Sequence, residues 1–132
     1  ECAVFDFWQN KVIARAKDSF TTAALDNESS ALLRFTPLNS NGPVLVGSNL
    51  HLSMGATEIQ DIRTTPKLLE VLLTDAGAQS GSLTFHSTKP LEAAGSENCE
   101  IKAVESLGEN LWRVDIEGRQ WGQPQSLQFT IK

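Results

Sequence analysis

The 132 residues contain no tyrosine, one methionine, two histidines, two cysteines and no run of lysine or arginine. Each scarcity argues against something. Without a basic run, and with a formal net charge of −5, the chain has no surface suited to nucleic acid or to an anionic membrane, both of which are bound through positive charge. No apolar stretch approaches the roughly 20 residues of a membrane-spanning helix; the longest lies around Leu68–Leu73. Membrane insertion of this segment is therefore not expected.

The cysteines, Cys2 and Cys99, form no Cys-x-x-Cys pair, which removes the sequence signal for a dithiol redox centre or a zinc knuckle. Two histidines are too few for a histidine-rich metal centre. His51 and His86 fall on the polar sides of the strands they would occupy, and Met54 has the opposite parity from His51. No metal and no cofactor is expected. The sequence Gly77-Ala78-Gln79-Ser80-Gly81 lacks the Gly-x-Ser-x-Gly spacing of a nucleophile elbow. Ser80, His86 and Asp75 lie near one another in sequence, but turn chemistry accounts for the serine and the glycines. Asp115 and Glu117 would share a strand face roughly 7 Å apart, the spacing of any alternating acids rather than of carboxylates facing across a cleft.

What is present is alternation. Hydrophobic residues at 40% and charged residues at 20% suit a folded domain. In Ser126–Lys132, Leu127, Phe129 and Ile131 share one face; in Leu111–Glu117, Trp112, Val114 and Ile116 do. Ser82–His86 and Asn49–Met54 repeat the pattern, with Gly108-Glu109-Asn110 and Asp75-Ala76-Gly77 as turns. Many short, one-sided strands predict a single domain over residues 1–132, mostly β, built as a two-sheet antiparallel immunoglobulin-like sandwich. Two segments admit a second reading. Thr65-Pro66 and Gly77 could bound a helix, although Leu69, Val71 and Leu73 share a strand face. Residues 10–35 carry a helical stripe of Val12, Ala16, Phe20 and Ala23, yet Cys2–Trp8 and Val12–Ala14 also suit two strands around Gln9-Asn10-Lys11. The alternative fold is α+β, with an N-terminal helix on an antiparallel sheet, pilin-like.

The isolated cysteines predict a disulfide between Cys2 and Cys99, worth roughly 4–5 kcal/mol for a loop of about 100 residues. That bridge, together with a start at Glu1-Cys2 that suits a processed protein, places the domain outside the cytoplasm: periplasmic, secreted or at the cell surface. Asn27-Glu28-Ser29 is a glycosylation triplet by pattern. Among the aromatics, Trp121 stands beside Arg119 in the polar stretch Gly118–Pro124, and Trp8 follows Phe7. Tryptophan and arginine dominate interface hot spots, so Trp121, Arg119, Trp8 and Phe7 are the candidate binding residues. The expected function is non-enzymatic: contact with another protein, or assembly of a surface or envelope structure. A carbohydrate-binding module using the exposed tryptophans on a glycan, and a small hydrolase around His86, are the alternatives.

Overall fold

The computed structural model describes residues 1–39 and 42–132, and every regular element among them is a β-strand. The strands are β1 (Cys2–Asp6), β2 (Lys11–Ala16), β3 (Leu33–Pro37), β4 (Val44–Ser48), β5 (Ile59–Thr64), β6 (Leu68–Leu73), β7 (Gly81–His86), β8 (Leu91–Glu97), β9 (Glu100–Gly108), β10 (Leu111–Glu117) and β11 (Gln125–Ile131). They form three antiparallel sheets, in the orders β4-β7-β10-β9, β5-β6-β11-β8 and β2-β1-β3.

The two four-stranded sheets make the expected sandwich. Leu69, Val71 and Leu73 of β6 and Leu127, Phe129 and Ile131 of β11 meet Leu83, Phe85, Val114 and Ile116 of the opposite sheet in one core. Phe85 and Phe129 approach across it with ring centroids 6.3 Å apart. The period-2 pattern sets this register, since a slip of one residue would turn each apolar set outward. Trp112 departs from the reading: it is half-buried at the core margin and donates its indole N–H to the Ser87 carbonyl at 3.2 Å. Leu111, the adjacent residue, points to the opposite face by ordinary alternation and packs there with Ala3 and Val46.

The two N-terminal strands read from Cys2–Trp8 and Val12–Ala14 are present, but they belong to a third sheet that the two-sheet reading did not include. The helical alternative for residues 10–35 fails because β1 and β2 pair around the turn at Asn10, whose φ of 51° suits asparagine. β3 then pairs on the other side of β1. This sheet lies on the outer face of the β4–β7–β10 layer. Ala3 packs with Val46 and Leu111, the Phe5 ring sits directly over Gly47, and Asn10 Nδ2 donates to Ser82 Oγ at 2.9 Å. A covered outer face explains why Ser82, Thr84 and His86 are buried although they alternate with core residues. It also buries His86, which the sequence places on the polar side of its strand.

Residues 49–54 are not a strand. Ser53 N donates to His51 Nδ1 at 3.1 Å, Met54 N to the His51 carbonyl at 3.0 Å, and Met54 and Gly55 take φ of 50° and 113°. Local hydrogen bonding wins over alternation here: Leu50 and Met54 are buried while Leu52, between them, is 55% exposed. The Thr65–Leu73 ambiguity resolves as a hairpin and strand. Thr65 Oγ1 accepts from Leu68 N at 3.0 Å, closing the β5–β6 turn.

The expected disulfide is absent. Both cysteines are free. Cys2 pairs with Ala16, whose neighbour Arg15 reaches the Glu109 carbonyl before β10, whereas Cys99 lies against Ser126 and precedes Glu100, which pairs with Glu117 at the end of β10. The seven-residue strand β10 therefore lies between them, a span of roughly 20 Å. A disulfide requires Cα atoms within about 7 Å.

Candidate binding site

One end of the molecule gathers the β1–β2 turn, the β6–β7 loop, the β8–β9 turn and the β10–β11 loop. Asn10 bonds Ser82, and Ser82 N donates to Asn49 Oδ1 at 2.7 Å. Arg119 N donates to the Gln79 carbonyl at 3.2 Å, and Gln120 N to the Asn98 carbonyl at 3.0 Å. Trp8 and Trp121 both belong to this end.

The β10–β11 loop is shaped by two glycines in the left-handed region, Gly118 at φ 69° and Gly122 at φ 74°. Between them the chain turns Arg119 inward, leaving 1% of it exposed. Its Nη1 donates to the carbonyls of Ala76 at 2.9 Å and Ala78 at 2.8 Å, Nη2 donates to the Thr74 carbonyl, and Nε donates to Gln125 Oε1 at 3.0 Å. Gln125 passes the connection on, donating from Nε2 to Asp75 Oδ1 at 2.9 Å and to the Gln120 carbonyl at 2.8 Å. Asp75 Oδ2 in turn accepts from Gly122 N at 2.8 Å. A buried charge is tolerable when its donors are filled in this way. Burial lowers the guanidinium pKa from its ordinary value, opposed by the nearby acidic groups of Cys99, Glu58 and Asp75. Arg119 is thus a strut inside the loop and not the surface contact expected from sequence.

Trp121 takes its position from that strut. The guanidinium carbon lies 5.0 Å from the indole centroid, a cation–π contact, and 43% of the residue stays exposed. A tryptophan supported on one side and open to solvent is a rigid platform. Trp8 is 59% exposed and meets the half-buried Phe7 edge-on, with centroids 5.2 Å apart at 81°. No ring contact joins the two tryptophans among the described residues. β1 is buried from Ala3 to Asp6.

The catalytic and metal candidates are not brought together. His86 ends β7 and Ser80 precedes its first residue, so the length of the strand separates them. Asp75 is held by Gly122 and Gln125. Asp115 and Glu117 are flanked by Arg113 at 3.4 Å and Lys102 at 3.2 Å. Sequence reading missed a set at residues 51–58. There Ser53 Oγ donates to Glu58 Oε2 at 2.8 Å, and the fully buried Glu58 leaves Oε1 without a hydrogen-bond partner. Ser53 Oγ also lies 2.9 Å from His51 Nδ1, so the hydroxyl sits between imidazole and carboxylate; in a triad the carboxylate instead holds the far nitrogen of the imidazole base. Among the described residues no group of three or more His, Cys, Asp or Glu could hold a metal ion.

Comparison with known proteins finds no matching family model, no significantly similar curated protein and no significantly similar solved structure. The reading of this end rests on its own geometry.

Proposed function

We propose that the chain is a non-enzymatic binding domain that engages another protein, or assembles into a surface or envelope structure, through the loop end that presents Trp121. The observation that carries this reading is the support of the half-exposed indole by the Arg119 guanidinium. A network ending on three carbonyls and Gln125 holds the ring before any partner arrives, and preorganisation lowers the ordering cost of binding. An extracytoplasmic setting belongs to the same proposal. With the cysteines free, it rests on the triplet Asn27-Glu28-Ser29, which is exposed in the stretch after β2.

The test measures melting temperature and partner affinity on one variant, Trp121→Ala, with the partner isolated by pull-down. An affinity loss of at least about 2 kcal/mol with little change in melting temperature is the expected outcome for an anchor. Unchanged affinity overturns the reading, and a large loss of stability marks Trp121 as a plug instead. A carbohydrate partner is the second reading, favoured by the open indole face beside the Asp75 carboxylate and the exposed side chains of Gln120 and Gln123. A glycan screen separates the two.

A further inference from the structure

The outer face of the N-terminal sheet is crossed by residues 17–32, a stretch without regular structure. Between this strap and the sheet runs a groove of about 230 Å³, its walls formed by Ile13, Leu25, Ala31 and Leu33, with Trp8 and Asp6 among its lining. The volume falls short of the roughly 300 Å³ at which pockets for drug-sized molecules begin. It matches one long side chain with an apolar stem.

Asp6 decides what that side chain carries at its tip. The residue is 8% exposed, and its two oxygens accept from Gln9 N and Gln9 Nε2, both at 3.1 Å and both from neutral donors. Lys11 stands opposite Asp6 in the β1–β2 register but is exposed, and among the described residues Asp6 forms no ion pair. A carboxylate so enclosed favours an arriving cation and repels an anion, and each oxygen keeps acceptor capacity beyond its one hydrogen bond. Trp8, 59% exposed on the same groove, adds an aromatic surface that attracts cations.

We infer that this groove receives a lysine or arginine side chain from a partner's peptide segment, the stem against Ile13, Leu25 and Leu33 and the cationic head on Asp6. The site is independent of the Trp121 platform, so either can fail without the other.

Titration of the isotopically labelled chain with acetyl-leucyl-arginine amide tests it, read from the indole N–H signal of Trp8 and the side-chain amide of Gln9. Saturable shifts of both are expected. The neutral isostere acetyl-leucyl-citrulline amide should bind at least about tenfold more weakly, because it forfeits the charge-assisted hydrogen bonds. Asp6→Asn should remove that preference. Trp8→Ala, at a largely exposed position, should weaken the arginine probe, and Trp121→Ala should not. Equal binding of the two peptides, or no saturable shift, overturns the proposal. Binding of n-butylguanidine as tight as the peptide's shows a free-cation site and overturns the assignment to a partner's segment.

Discussion

Substituting Gly47 with alanine probes the joint between the N-terminal sheet and the sandwich. A Cβ built at Gly47 lies 2.2, 2.3 and 2.4 Å from three atoms of the Phe5 ring. Carbon atoms in ordinary contact stand about 3.5–4.0 Å apart, so the ring must retreat by more than about 1 Å. It has little room to do so, because Phe5 is fully buried between the two sheets. Overpacking of this kind costs about 1–3 kcal/mol. Phe5→Ala alone removes a buried ring and should cost about 3–5 kcal/mol. In the double variant the new methyl enters the space the ring has left. Its cost should therefore stay near that of Phe5→Ala, below the sum of the single costs by about 1–3 kcal/mol of coupling. Urea unfolding of the four proteins measures this cycle. Amide exchange should also show residues 2–16 opening first in Gly47→Ala, since the strain falls at their contact with β4. Strict additivity, or a Gly47→Ala variant as stable as the parent, would refute the placement of Phe5 over β4.

Four further outcomes follow from other contacts. Arg119→Leu leaves the carbonyls of Thr74, Ala76 and Ala78 without their donor and should cost roughly 2–5 kcal/mol, read as a lower urea midpoint; an unchanged midpoint would show that the strut is idle. The His86 pKa lies below its ordinary value because the ring is desolvated and faces Arg15, with Glu1 opposing. The unfolded chain therefore takes up the proton first, and stability should fall as pH drops below about 6.5. Melting curves of the parent and His86→Asn across that range should diverge, the variant being flatter. Thiol titration of the denatured, unreduced protein should find two free sulfhydryls. In the native state Cys99 should alkylate more slowly than a free thiol at mildly alkaline pH, because burial raises its pKa despite Arg119 and the bonds to Ser126 and Glu97.

The alternation in Leu69–Leu73, Leu83–Phe85, Val114–Ile116 and Leu127–Ile131 determined the β class, the inward faces and most of the sandwich core. Period 2 is local, so a single strand's sequence states which of its sides is apolar. The same information could not say that a third sheet would cover Ser82, Thr84 and His86, because burial of a polar side chain is set by what the distant β1 brings to it. Nor could it say that Arg119 points inward. Arginine beside tryptophan between glycines reads as a surface pair until the carbonyls of Thr74, Ala76 and Ala78 converge from the β6–β7 loop to fill its donors. The cysteine error has the same origin, since spacing along the chain says nothing about which ends of the strands two residues occupy. Composition and periodicity fixed the one-dimensional pattern. Only the tertiary structure decided which polar groups meet, because a buried hydrogen bond needs a partner that sequence order does not locate.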